Sequence, residues 1–242
     1  MATYHLSVKT GKRGRASEHA AYIAREGKYS KNLQQEELVV IECGNLPEWA
    51  NGNPKSFWEM ADKHERINGA AYREFEVALP VELTTNQQVE LVHEFIEHQI
   101  GNKPYQFAIH VPQAALGGID QPHAHIMLSD RKPDGIERGP EQHFKRSNPH
   151  HPELGGCKKD SGGKEPHALK NDLITCRESW ANLQNKHLEK YGYEQRVDHR
   201  SNQDRNIHKA AERHLGQATI KKMTVEEKGR YKDKRNGIQP AM

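Results

Sequence analysis

The chain has 242 residues and a mass of 27.7 kDa, room for one large domain or one domain with appendages, and too little for several. Hydrophobic residues make up 34% and charged residues 29%, against an apolar share of about 45–50% in ordinary globular domains, so part of the chain is expected to lack a packed core. No stretch approaches the roughly 18 apolar residues that cross a bilayer, and no apolar signal segment opens the chain. Three scattered cysteines (Cys43, Cys157, Cys176) exclude a disulfide framework or a cysteine zinc cage. The expected setting is a reducing cytoplasm with no membrane insertion.

The formal charge of +3 hides segregation. Residues 1–31 carry seven Lys/Arg against two acids, residues 36–97 carry thirteen acids against four Lys/Arg, and from Lys221 onward seven Lys/Arg face three acids. Basic ends around an acidic middle can present a polyanion-binding face, although charge alone equally describes solvated surface.

In chain order, Thr3 to Lys9 alternates with period two and predicts a strand. A Gly/Arg loop (Gly11–Ala16) follows, then a helix over Glu18–Glu26 with Ser17 as its N-cap and Gly27 near its stop. Residues 36–42 predict a short strand, Asn45–Asn53 a Pro/Gly/Asn loop, and Pro54 opens a helical stretch carrying Phe57, Trp58, Met60, Ala61 and His64. Tyr72–Pro80 reads as a strand with Phe75, Val77 and Leu79 on one face and Glu74, Glu76 and Ala78 on the other. Thr84 or Thr85 caps the next helix, and Tyr105–Val111 and His123–Ser129 are strands joined by the loop Pro112–Pro122. Pro133–Pro166 reads as a long loop or an insertion that orders on a partner. A last helix covers His167–Tyr191, and no periodicity is sustained beyond Val197. The pattern predicts an α/β (α+β) fold whose central, largely antiparallel sheet is flanked by helices and followed by a flexible basic tail. The expected division is a domain over 1–200 and a polar, partly disordered segment over 201–242.

The sharpest feature is a histidine hairpin. On a strand, His123 and His125 share one face while Ala124, Ile126 and Leu128 take the other. With Phe107 and Ile109 turned to the same core, His110 falls on the histidine side, so antiparallel pairing brings three imidazoles within reach of one ion. Three histidines without a carboxylate leave open coordination positions, which suits a catalytic Lewis acid more than a closed structural site. The nucleophile is less legible. No H-E-x-x-H motif occurs; a metal-bound water and a tyrosine both stand open, and periodicity alone leaves Tyr22 a half-buried helix aromatic. A phenol, with an ordinary pKa of about 10, needs a base or nearby positive charge. Glu74 or Glu76 could supply the base, and a phosphodiester is the natural substrate.

His110 with the His123-Ala124-His125 doublet resembles the His-hydrophobic-His arrangement of the HUH endonucleases. The opening Ala2–Ser7 and Ala20–Tyr29, then Glu74–Leu83, Asp134–Arg138, His143–Arg146 and Val197–Arg200, resemble the MobA/MobL relaxases of mobilisable plasmids, in the family's order and over about residues 1–215. The resemblance implies a conjugative relaxase in which Tyr22 attacks a phosphodiester at the nic site of a transfer origin. That gives a 5′-phosphotyrosyl bond and a free 3′-hydroxyl, and the strand is later rejoined. It implies Mg²⁺ or Mn²⁺ at His110, His123 and His125, with Zn²⁺ also suited to imidazole, and Glu74 or Glu76 as proton acceptor or support. The partners it implies are single-stranded or locally melted origin DNA, accessory mobilisation proteins and a type IV secretion coupling protein. The setting is bacterial and plasmid-associated, with transfer to the recipient alongside the DNA. Relatives often continue into primase or helicase-like regions, activities not expected here. Lys12, Arg13, Arg15, Arg25, Lys145, Arg146, Lys158 and Lys159 are the expected DNA contacts. The alternatives are a rolling-circle replication initiator, in which Tyr29 joins Tyr22 if the helix persists, and a non-catalytic origin-binding accessory.

Overall fold

In a computed structural model the described residues are 3–34, 37–113, 118–208, 215 and 217–235. Ala2, Glu36, residues 114–117 of the Pro112–Pro122 loop, and 209–214, 216 and 236–242 of the basic tail lie outside them.

Five strands form one antiparallel sheet: β1 (Leu6–Lys12), β2 (Glu37–Gly44), β3 (Ala70–Ala78), β4 (Tyr105–Val111) and β5 (His123–Leu128), in the order β1-β3-β5-β4-β2. The helices are α1 (Ala16–Ile23), α2 (Pro54–His64), α3 (Thr85–Gln99), the single turn α4 (Pro140–His143), α5 (Pro166–Lys190), α6 (Gln217–Lys222) and α7 (Val225–Arg235). Strand parity sorts the side chains into two layers. On one face Leu6, Val77, Phe107, Ile109, Ala124, Ile126 and Leu128 pack against Leu91, Val92, Phe95 and Ile96 of α3 and Trp180, Leu183 and Leu188 of α5. On the other face Tyr72, Ala108 and Met127 meet Ala16, Ala20 and Ile23 of α1, Phe57, Trp58 and Ala61 of α2, and Phe144. The predicted α/β architecture with an antiparallel sheet is the one observed. Among the described residues no helix is long and apolar enough to cross a membrane.

Several local expectations change for physical reasons. Ser17 does not cap α1. Arg15 precedes the helix with no side-chain capping bond, and the orphan donors go to Asp62 of α2 instead. Its Oδ1 accepts from Gly14 N at 2.7 Å and Ala16 N at 2.8 Å, while Oδ2 accepts from Ser17 N at 2.8 Å and Ser17 Oγ at 2.7 Å. The helix stops at Ile23 and does not run to Glu26, because Arg25 and Gly27 adopt positive φ (54° and 56°). Thr84, not Thr85, caps α3 through a reciprocal box with Gln87. Beyond Val197, where no periodicity is legible, α6 and α7 form; Thr224 and Glu227 build a second capping box at the start of α7.

The Pro133–Pro166 segment, a long loop by sequence, follows a defined course fixed by buried side chains. Arg131, 2% exposed, donates to Glu65 Oε2 (2.9 Å), Lys145 O (2.9 Å) and Cys157 O (2.8 Å). Arg138 donates to Gly155 O and Pro152 O at 2.9 Å each and pairs with Asp134. Each guanidinium offers five donors in a fixed fork, so each ties several loop carbonyls at once. His143 is buried between Trp49, Phe57 and Phe144 in this segment.

By its contacts the chain divides into two units, residues 1–111 with 122–199, and residues 112–121 with 200–242.

Two outcomes follow from these contacts. Asp62→Ala removes four hydrogen bonds from the start of α1 and should cost about 1–3 kcal/mol in denaturant melts, with Asp62→Asn in between. Burial, then the cations of Arg131 and Arg138, pull the His143 imidazole down to about 4. The unfolded chain therefore binds the proton first, and stability should fall as pH drops from about 6.5 to about 4, by roughly 3 kcal/mol at most. Chemical denaturation of His143→Gln across that window should show a shallower slope; an unchanged slope would remove His143 from the acid response.

Candidate active site

The hairpin register sets the first layer of the site. In the β4–β5 ladder His110 lies opposite His123 and Ala108 opposite His125. All three imidazoles leave the sheet on the α1 face, with ring centroids 5.0–5.6 Å apart. One nitrogen from each ring lies within 4.8 Å of the others. His110 is fully buried and His125 is 7% exposed.

The β3 strand supplies the support. It pairs with β5 so that Glu76 lies opposite His125 and Glu74 opposite Met127. The carboxylate that reaches the ring is Glu74, whose Oε1 accepts from His125 Nδ1 at 2.6 Å and lies 2.9 Å from His19 Nε2. That bond leaves His125 Nε2 with the lone pair. Burial raises the Glu74 carboxyl, but hydrogen bonds from His125 and His19 prevail and hold it well below the usual carboxylate range. Glu76 pairs with Lys9; burial again works upward, and the lysine holds it below its ordinary value.

His110 is held differently. Its Nε2 donates to Ile23 O at 2.7 Å, and its Nδ1 faces Arg25 Nη2 at 3.2 Å. Burial first, with the Arg25 charge assisting, pushes this imidazole down to about 3, so it is neutral at physiological pH. Three imidazoles, two with their tautomers set by a carboxylate and a carbonyl, fit a divalent cation of the kind that accepts nitrogen ligands.

Tyr22 lies on the last turn of α1, its ring edge-on to His125 at 6.5 Å between centroids. Arg25 Cζ sits 4.7 Å from the Tyr22 ring centre, and the Tyr29 ring approaches edge-on at 5.3 Å. The two tyrosine rings meet although the helix does not persist between them, and the Tyr29 hydroxyl donates to Glu18 Oε1 at 3.1 Å. His19, three residues before Tyr22, stacks on Tyr72 at 4.9 Å. Tyr72 in turn lies so close over Gly11 that any β-carbon there would fall 1.8 Å from the ring, which is why that position needs glycine. A groove of about 640 Å³ opens here, lined by Lys12, Arg13, Arg15, His19, Tyr22 and Tyr29 among others.

The expected DNA contacts separate into two sets. Lys12, Arg15, Lys145, Arg146 and Lys158 are exposed, Arg15 paired with Glu18 at 3.3 Å. Arg13 is exposed but spends its guanidinium on Asp62 O and Lys63 O at the end of α2. Arg25 is buried, and Lys159 is turned inward to Ala70 O (2.6 Å) and Glu65 (3.1 Å). Sequence reading missed His19 and Asp62. The i−3 spacing of His19 from Tyr22 was a usable sign; nothing local points from Asp62 to α1.

Residues 13–225 match the MobA/MobL family. The 43 kDa relaxation protein of Salmonella typhimurium is 53% identical over 202 residues, 83% of this chain and 54% of that protein. Mobilization protein A of Escherichia coli is 43% identical over 221 residues, 89% of this chain and 30% of that protein. The chain thus spans about half and about a third of the lengths of these relatives. A solved structure titled for the molecular basis of vancomycin resistance transfer in Staphylococcus aureus shares the fold, with a TM-score of 0.59 at 24% identity over 83% of this chain and 100% of that one. With a family match across most of its length and relatives this similar, the chain belongs to the MobA/MobL family.

Proposed function

We propose that this chain is a mobilisation relaxase whose residues 1–200 nick one DNA strand at a plasmid transfer origin. The observation that carries the reading is the docking of the α1 end, with Tyr22 beside His125, onto the three-histidine cluster. In the reaction the Tyr22 oxygen forms a bond to phosphorus while the bond from phosphorus to the 3′-oxygen breaks. The products are a 5′-phosphotyrosyl link and, once the leaving oxygen takes a proton, a free 3′-hydroxyl. The link keeps an ester, so the same hydroxyl can reverse the step and close the strand.

A divalent cation held by His110, His123 and His125, Mg²⁺ or Mn²⁺ in such relaxases and Zn²⁺ by imidazole preference, would neutralise charge on the phosphate. Glu74, held by two imidazoles and low in proton affinity, orients His125 and is a poor base. His19, its Nε2 2.9 Å from Glu74 and its ring 6.0 Å from that of Tyr22, is the candidate to accept the phenol proton. Lys12, Arg15 and the other exposed cations hold the strand by its phosphates.

The contact between Tyr22 and Tyr29 favours one second reading, a rolling-circle initiator with two nucleophiles. Tyr4 is not a candidate, because it packs on the opposite face of the sheet and donates to Arg177 O at 3.1 Å. With a single-stranded origin oligonucleotide and Mn²⁺, Tyr22→Phe should yield no covalent adduct while retaining salt-sensitive DNA binding. A full-strength adduct in that variant, located by mass spectrometry on Tyr29, would establish the second reading instead. The His123→Ala, His125→Ala double variant should lose metal binding and nicking together; nicking that survives both it and EDTA would end the metal account.

A further inference from the structure

Arg25 places a positive charge beside the histidines proposed to hold another. It is 3% exposed and holds φ at +54°, a left-handed conformation uncommon for a long side chain. From there the guanidinium folds back under the α1 terminus. Its Nη1 donates to Tyr22 O at 2.8 Å, its Cζ lies 4.7 Å from the Tyr22 ring centre, and its Nη2 is 3.2 Å from His110 Nδ1.

The contact with His110 has only one polarity. His110 Nε2 faces the Ile23 carbonyl at 2.7 Å, and a carbonyl only accepts, so Nε2 carries the hydrogen and Nδ1 the lone pair. The guanidinium only donates and takes that lone pair. One of the three histidines thus already serves a cation of the protein itself.

We infer that Arg25 competes with the divalent cation for His110, so that the site loads tightly only when a phosphodiester arrives to neutralise the guanidinium. This rests on the reading of the three histidines as a metal site. A lone pair serves one partner at a time, and two positive centres in a partly buried pocket repel more strongly than in water. A phosphate group between them is attracted by both, and arginine matches its oxygens with two parallel donors. Linkage makes the effect reciprocal: whatever DNA adds to metal affinity, metal adds to DNA affinity. Arg25 is therefore a positioning residue, poised between Tyr22 and His110, that ties assembly of the metal site to the presence of the strand to be cut.

The test is Mn²⁺ titration of the full chain followed by electron paramagnetic resonance, without DNA, in wild type, Arg25→Met, Arg25→Gln and Arg25→Lys. The two uncharged variants should bind Mn²⁺ more tightly, on the order of tenfold, while Arg25→Lys stays near wild type. In a Tyr22→Phe background, the factor by which a single-stranded origin oligonucleotide tightens Mn²⁺ should shrink when Arg25 is also changed to Met or Gln. Arg25→Gln keeps a donor for the Tyr22 carbonyl and serves if Arg25→Met melts early. Equal or weaker Mn²⁺ binding by uncharged variants that melt cooperatively would overturn the inference, because a residue that merely braced the site would loosen it when lost. Mn²⁺ binding by wild type without gain in the variants overturns the role of Arg25 alone. Binding by none of the four overturns the metal reading as well.

Discussion

The antiparallel register of β4 and β5 is the constraint on which the rest of the site depends. Side chains alternate with period two along a strand, so a slip of one residue would turn His123 and His125 into the core and Ala124 and Ile126 toward α1. What prevents the slip is burial on the far face, where Phe107, Ile109, Ala124 and Ile126 are completely enclosed by α3 and α5. Each large apolar side chain buried there is worth about 1.5–3 kcal/mol. The histidine face is therefore specified by a core that contains none of its residues.

The helix that carries Tyr22 is only eight residues long, well below the length at which an isolated helix persists in water. Its position comes from anchors at both ends. At the start, the Asp62 carboxylate gathers the orphan backbone donors. At the finish, His110 takes the Ile23 carbonyl and the Arg25 guanidinium adds a second donor to the Tyr22 carbonyl. The second anchor includes one of the three histidines, so the helix of Tyr22 and the imidazole cluster share a hydrogen bond. Along the helix, His19 and Tyr22 both approach the sheet, and Glu74 ties His19 to His125. A displacement of α1 cannot leave the cluster untouched.

The cations explain how a chain with few apolar residues still folds over most of its described length. Arg131, Arg138 and Lys159 are drawn inward, where carbonyls and the buried Glu65 satisfy them. Such pairs add little net stability over an apolar equivalent, but losing one partner would strand a buried charge. They give the 131–160 segment a defined course without strands or long helices. The cations left at the surface, Lys12 and Arg15 among them, border the groove beside Tyr22.

Periodicity and punctuation in the sequence determined the five strands, the four long or functional helices α1, α2, α3 and α5, and the convergence of His110, His123 and His125, because these depend on neighbours along the chain or on one hairpin. The α7 capping box, Thr224 with Glu227, was equally local and was overlooked in a segment dominated by charge. The choice between Glu74 and Glu76 was not legible. Both share a face of β3, and only the β3–β5 register and the approach of α1 separate the one that touches His125 from the one that pairs with Lys9. The same holds for the cations: composition cannot distinguish an arginine that will meet solvent from one, such as Arg25 or Arg131, that will meet carbonyls. Asp62 reaches α1 across 45 or more residues of chain, a contact no local pattern encodes. Tertiary structure decided these because a charged side chain has no preferred partner until folding presents one.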